Sequence, residues 1–312
     1  MLDLYSRWIV HLQIHLASHP PEAPNLWLAD ELDHLFVAHE TGQAVQLIAN
    51  ETAAIRVRDI ELDRENDILF VLFNYADKNA TDPVFENLET GDLRTEPKLD
   101  GEGVAVSAHM AIDLKPNAVG VPSYRALLED APGIGRSKIQ PFLTYLYRGG
   151  HRIQWEAPDG SVKNCRPIFD ISGRASDTLR NDLREGRLSM IELVQHRPEG
   201  DGFDEEGAVI EEVRTIKLSV AANSVGDAAM DLINRVRGRG HEMGYPNMKI
   251  RWTHGRQKSA EFGTAREDAG DVLVFKTTKI TSEEPLSQCD ESIRVNSRTA
   301  LRDLIIEERG EA

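Results

Sequence analysis

Apolar residues fall on every second position from Trp8 to Leu16: Trp8, Val10, Leu12, Ile14 and Leu16. That period belongs to a strand with one buried face, because a helix buries a stripe that recurs every three to four residues. Ala54–Leu62 and Ile68–Tyr75 read as two further strands, joined by the polar turn Asp63-Arg64-Glu65-Asn66-Asp67. Helix-period segments stand between such strands. Leu28 to His39 places Leu28, Leu32, Leu35, Phe36 and His39 on one face, and Ser224–Arg237 does the same with Val225, Ala228, Ala229, Leu232, Ile233 and Val236. Strands and helices mix without regular βαβ repetition. The predicted class is therefore α+β: a mixed, mainly antiparallel sheet with flanking helices, in two domains. At 312 residues the chain is long enough to bury a full core.

The remaining elements follow from turn chemistry and periodicity. Residues 76–100 are loop-like, 101–114 form a strand, and 122–149 form two short helices around Pro132-Gly133-Ile134-Gly135. A hairpin joins 152–155 to 162–170 across Pro158-Asp159-Gly160, where the chain must reverse. Residues 176–185 are helical with Ser176 as N-cap, and strands follow at 188–195, 208–221, 247–253 and 271–280, with a last helix at 297–308. The expected organisation is an N-terminal α+β domain at 1–150, a hairpin and strand-rich segment at 151–222 containing an acidic hinge at 199–212, and a basic C-terminal α+β segment at 223–312.

The N-terminal stretch lacks the basic start of a signal peptide, and no apolar run approaches the roughly 20 residues that span a bilayer. Cys165 and Cys289 lie far apart and fit no metal-ligand spacing. The expectation is a cytoplasmic protein with reduced thiols and no direct membrane insertion.

Charge is unevenly distributed. The chain carries a formal net charge of −16, yet residues 235–279 hold ten Lys/Arg against five Asp/Glu, leaving that stretch at +5 and the rest at −21. A local basic patch on an acidic protein can hold a polyanion while the remaining surface repels it. The expected DNA-binding residues there are Arg235, Arg237, Arg239, Lys249, Arg251, His254, Arg256 and Lys258. Lys249, Arg251 and Thr253 share one strand face opposite Met248, Ile250 and Trp252, and Arg256 and Lys258 extend it at the turn. The three helix arginines also balance the macrodipole at a helix C-terminus. The acidic stretch Glu199–Glu212, with seven carboxylates and no cation, is a competing partner for the same cations within the chain or across a dimer.

Leu127–Ile139 resembles a helix-hairpin-helix, in which backbone N–H groups at Gly133 and Gly135 approach a DNA phosphate and Arg136 and Lys138 add charge. Ala131 stands where a larger apolar residue is usual, and Pro141 interrupts the second helix. A plain glycine-containing connector is the alternative. Glu102 and His109 are the nearest approach to an acid/base pair, but an odd separation of seven residues puts them on opposite faces of a strand. His11, His15 and His19 recur every four residues, which aligns ligands on a helix but not on the strand expected here. Asp271, with Lys276 and Lys279, is the nearest approach to a nuclease carboxylate cluster. No P-loop, dinucleotide fingerprint or nucleophile elbow is present. No catalytic residue, metal or cofactor is assigned.

Three stretches in order, GEGVAVSAHMAI followed by SYRALLEDAPGIGRSKIQPFL, then VKNCRPIFDI, then PNMKIRWTHGRQKSAEFGTAREDAGDVLVFKTTKI, resemble the RexA phage-exclusion protein family over residues 101–280. The resemblance implies a two-domain α+β homodimer that binds double-stranded DNA without strong sequence preference. It further implies a sensor of superinfecting phage in a prophage or antiphage (abortive infection) system, signalling to a small membrane effector protein, and it transfers no catalytic residues. Two other functions fit the residues: a metal-dependent nuclease effector using Asp271 or Glu102, and an interaction adaptor whose basic strand docks an acidic protein surface without binding DNA.

Overall fold

The computed structural model describes residues 2–148, 152–198, 211–220, 224–264 and 273–310. It divides into two units, Met1–Arg174 with Thr277–Ala312, and Ala175–Lys276. The chain is α+β, and every strand pairing among the described residues is antiparallel.

The first unit is laid down by β1 (Ser6–His19), a 3-10 turn at Leu28–Glu31, α1 (Leu32–Glu40), β2 (Val45–Ile48), β3 (Ala53–Asp63) and β4 (Ile68–Asp77). The short β5 (Val84–Glu86) and β6 (Leu93–Thr95) form a separate hairpin within the expected loop. Then come β7 (Val104–Asp113), β8 (Ser123–Glu129), α2 (Arg136–Leu146), β9 (Ile153–Glu156) and β10 (Val162–Gly173). The main sheet runs β2-β3-β4-β7-β8-β1-β10-β9. Asp63 closes the β3–β4 turn by accepting from the N–H groups of Glu65 and Asn66, both at 3.1 Å, as an Asx turn does.

The second unit begins with β11 (Ala175–Thr178) and α3 (Leu179–Glu185). It continues through β12 (Arg187–Pro198), β13 (Glu211–Ser219), α4 (Gly226–Glu242), β14 (Asn247–His254), β15 (Arg256–Gly263) and β16 (Leu273–Phe275). The chain then returns to the first unit with β17 (Thr277–Thr281) and α5 (Val295–Arg309). β17 pairs with residues 6–10 of β1 and β10 with residues 12–19, so β1 has β8 on one edge and two successive partners on the other.

Three expectations are corrected here. Residues 123–129 are strand rather than helix, despite the helix-forming run Ala-Leu-Leu-Glu. Tyr124, Ala126 and Leu128 join one core and Leu127 the other, so pairing between β7 and β1 buries both faces and overrides propensity. Residues 175–178 are strand before α3 begins. The expected strand at 271–280 is two strands, β16 paired with β11 and β17 paired with β1.

Both faces of the main sheet are covered. Leu12, Ile14, Leu16, Leu69, Val71 and Phe73 pack toward α1 and α2, while Ile9, Ile68, Phe70, Ala111 and Leu127 pack against Leu301 and Ile305 of α5. Buried polar groups on the α5 side are paired with one another. Asp113, fully buried, accepts from Arg309 Nη2 (2.6 Å) and Nε (3.1 Å) and from Arg125 Nη1 (3.2 Å). Glu308 pairs with His11 (2.8 Å) and with Arg174. Glu129 pairs with Arg7 Nε (2.7 Å) and His109 Nδ1 (2.7 Å). The Arg294 N–H donates to His109 Nε2 (3.2 Å), which leaves Nδ1 to carry the proton toward Glu129. Burial alone would raise the Glu129 carboxyl, but hydrogen bonds from His109 and the Arg7 charge outweigh it and hold it below its ordinary value.

Removing one partner of such a pair leaves a buried, uncompensated charge. Asp113→Ala strands Arg309 and is expected to destabilise the first unit by about 3–5 kcal/mol, read as a fall in the urea midpoint. A loss below about 1 kcal/mol would show that the Asp113–Arg309 pair does not hold α5 in place.

Candidate nucleic-acid interface

The second unit carries a four-stranded sheet in the order β13-β12-β14-β15. β14 alternates strictly: Met248, Ile250 and Trp252 are buried, while Lys249 and Arg251 are half-buried and Thr253 is exposed. The apolar face joins Ile191 and Leu193 of β12 and Leu179 and Leu183 of α3 to Ala229, Met230 and Ile233 of α4 in one core. Gly240 lets α4 sit this close, since a Cβ there would lie 2.6 Å from a Leu193 methyl.

The register defines the opposite, polar face. Lys217 and Lys249 flank Glu192 on either side, and Glu261 stands across from Lys249. Arg251 lies between Met190 and Ser259, and Thr253 between Arg187 and Gln257. Cross-strand partners share a face, so Arg187, Lys217, Lys249 and Arg251 stand together against Glu192 and Glu261. Glu192 is 6% exposed; its Oε1 lies 3.3 Å from Arg251 Nη2 and 3.9 Å from Lys217 Nζ, as an ion pair without an aligned hydrogen bond.

The basic stretch is therefore divided by the sheet. Arg235 and Arg239 lie on the exposed side of α4, where they line a shallow depression with Asn234, Gly238, Glu242 and Met243. Arg237 is half-buried and donates to the Thr264 carbonyl (2.9 Å). Because α4 packs on the apolar face, the arginines of the helix and the cations of β14 point away from opposite sides of the sheet. They do not form one continuous patch.

His254 and Lys258 are separated from Lys249 and Arg251 as well. Lys258 is the cross-strand partner of Trp252, which places it on the apolar side, and both it and His254 are held by Asp182. Asp182, 3% exposed, accepts from His254 Nδ1 (2.8 Å), from Lys258 Nζ (2.8 Å) and from the Trp252 indole N–H. Burial would raise the Asp182 carboxyl, but hydrogen bonds from Lys258, Trp252 and His254, with the Lys258 charge, hold it below its ordinary value. Gly186 completes this packing, since a Cβ there would meet the Asp182 carbonyl at 2.6 Å. Arg256 and Lys258 belong to β15 rather than to a turn. The Arg256 backbone pairs with His254, and its side chain lies outside the described residues, as do most of the acidic stretch and Asp271.

The remaining candidates lie in the first unit and are engaged structurally. The Pro132–Gly135 turn joins strand β8 to α2, so it is not a helix-hairpin-helix. Gly133 adopts φ +83° with its Cα facing the Tyr75 ring, and Gly135 precedes α2. Lys138 donates to the Gly133 carbonyl (2.7 Å) and sits 4.2 Å from the Tyr75 ring centre; Arg136 donates to the Ile171 carbonyl (3.2 Å). Glu102 accepts from the Leu99 N–H (2.8 Å), far from the buried His109–Glu129 pair. Gly103 permits a close approach, because a Cβ would fall 2.7 Å from the Asp77 carbonyl carbon. His11 is buried against Glu308 and Thr278. Among the described residues no three His, Cys, Asp or Glu side chains cluster as metal ligands. No helix among them is long and apolar enough to cross a membrane.

Arg187, Lys217 and Glu192 complete the polar face without any signal in the sequence that marks them. Each sits in its own strand position, tens of residues from β14, and only the register joins them. No family model, curated protein or solved structure matches the chain.

The lowered Asp182 carboxyl has a definite pH sign. Its contribution to stability is present above the ordinary aspartate value of 3.8 and is lost as pH falls through the lowered folded-state value. Asp182→Asn is expected to lower the urea midpoint of the second unit at pH 7 and to flatten this acid limb. An unaltered limb in the variant would remove Asp182 as its source.

Proposed function

We propose that the chain binds double-stranded DNA through its phosphates, on the face of the β13-β12-β14-β15 sheet opposite α4, as the sensor of a prophage or antiphage system. The observation that carries this is the gathering of Arg187, Lys217, Lys249 and Arg251 on one sheet face, with Glu192 and Glu261 the opposing acids among its described side chains. An excess of cations spaced along adjacent strands suits the tracking of a phosphate backbone, and the lack of aromatic or recognition-helix side chains among those described on this face suits weak sequence preference. The defence role, a homodimeric assembly and a membrane effector partner rest on the resemblance of residues 101–280 to the RexA family. The interface is narrower than the basic stretch of sequence. It excludes His254 and Lys258, which Asp182 holds, and adds Arg187 and Lys217.

The adaptor reading is favoured by one observation, the ion pairing of Glu192 with Arg251 and Lys217, which already neutralises part of the face. Duplex DNA binding measured across a salt series separates the two. The triple variant R187A/K249A/R251A is expected to weaken binding to unrelated sequences alike and to flatten the salt slope by about 0.9 for each phosphate left without its cation. H254A is expected to leave that slope unchanged. Equal affinity and slope in the triple variant would overturn the proposed interface, and intact DNA after incubation with Mg²⁺ or Mn²⁺ would count against a nuclease.

A further inference from the structure

A second basic feature lies in the first unit, outside the stretch that dominates the charge pattern. β2 pairs with β3 only as far as Val45 opposite Arg56, and beyond that point the loop after α1 crosses the β3 edge, where the Val57 N–H donates to the Ala44 carbonyl (2.9 Å). The corner leaves a notch of about 160 Å³ lined by His39, Gly42, Ala44, Val45, Arg56, Val57 and Arg58. Its floor is apolar and closed, since Ala44 and Val57 are 4% and 5% exposed. Its rim is cationic. Arg58 is the extra residue of a β-bulge, because the β3–β4 register shifts between Val57 and Asp59. Bulges at sheet edges re-aim side chains, and here Arg56 and Arg58 line the same notch.

Among the described residues the side chains of His39, Arg56 and Arg58 make no ion pair and no side-chain hydrogen bond; the charge of Arg58 is felt by the Cys289 thiol. The neighbouring carboxylate does not answer them, because Asp59 accepts instead from the N–H groups of Ile60 (2.9 Å) and Ile293 (2.7 Å). The notch thus gathers two guanidinium groups and an imidazole on a chain of formal charge −16.

We propose that this notch binds a phosphoryl oxyanion through Arg56, Arg58 and His39. Two guanidinium forks and an imidazole offer more donors than the two oxygens of a carboxylate can use, whereas a phosphoryl group presents three or more acceptor oxygens. The volume sets the rest. Pockets that enclose whole organic ligands run from about 300 Å³ upward, so the notch takes the phosphoryl group alone. That group is free orthophosphate or the terminal phosphate of a larger molecule whose remainder stays in solvent. The site is separate from the sheet face of the second unit and stands independently of the function proposed there.

Calorimetric titration of the full chain with orthophosphate and, separately, with adenosine 5′-monophosphate, at ionic strength held constant with KCl, tests this. Saturable binding is expected, at least tenfold weaker in R56A/R58A and unchanged in R94A, an exposed arginine elsewhere in the unit. R56K/R58K keeps the charge but loses the forks and is expected to fall between wild type and the alanine variant. Tighter binding of the nucleotide assigns the phosphate to a larger ligand, and equal binding assigns orthophosphate; both support the site. Absence of saturable binding by either probe, or equal affinity in R56A/R58A with its circular dichroism intact, overturns it.

Discussion

The pairing of β1 is the constraint on which the first unit depends. One 14-residue strand holds β8 along one edge and β17 and β10 in succession along the other, with both faces under packed helices. Over residues 6–12 the strand has no solvent-facing side, so each charged or imidazole group buried there must find a partner. Arg7 and His11 do so at Glu129 and at Glu308. Those partners come from β8 and α5, far along the chain, and the C-terminal helix is thereby tied to the strand laid down first. The same demand explains why Asp113 meets Arg309 at full burial. Apolar contact at Leu301 and Ile305 supplies affinity for the sheet, and the polar pairs select one register for the helix against it.

Electrostatics in the second unit follow from geometry rather than from sequence proximity. The short basic stretch from Arg235 to Lys258 is distributed to the outer side of α4, to the polar sheet face and to a buried aspartate on the apolar side. Alternation in β14 does the dividing: Lys249 and Arg251 lie opposite Trp252, and the cross-strand partner of Trp252 is Lys258. Asp182 then converts two nominal ligand-binding groups, His254 and Lys258, into supports for the Trp252 core. The cationic sheet face that remains is smaller, and it draws in Arg187 and Lys217 from strands that the charge pattern does not mark.

Local signals serve well where local chemistry decides. The alternation from Trp8 to Leu16 is a strand, though Ile9 and His11 bury part of its second face where one buried face is expected; the polar turn at Asp63–Asp67 joins β3 to β4, and Pro158-Asp159-Gly160 turns the β9–β10 hairpin with Gly160 at φ +77°. They fail where long-range pairing overrides propensity. Ser123–Glu129 carries helix-forming residues, but two neighbouring strands need its edges and two cores need its faces. The turn at Gly133 and Gly135 is legible as a turn, yet its resemblance to a helix-hairpin-helix requires a preceding helix that β8 replaces. The β15 strand is silent in the sequence because its polar run, Arg256 to Ser259, has no apolar alternation to announce it.

By itself the amino-acid order determined the class of fold, the position of most strands and helices, and the fact that cations concentrate in one part of an acidic chain. These follow from side-chain period and turn chemistry, which act over a few residues. The tertiary structure decided which cations stand together. A one-residue change of register moves a side chain to the other face of a sheet, and pairing among β13, β12, β14 and β15 joins residues tens of positions apart. It also decided which charges remain available: Asp182 and Glu192 consume some, while the notch at Arg56 and Arg58 leaves others open. A charge count along the chain cannot register that difference, because an ion pair is a matter of ångströms between side chains and not of their spacing in sequence.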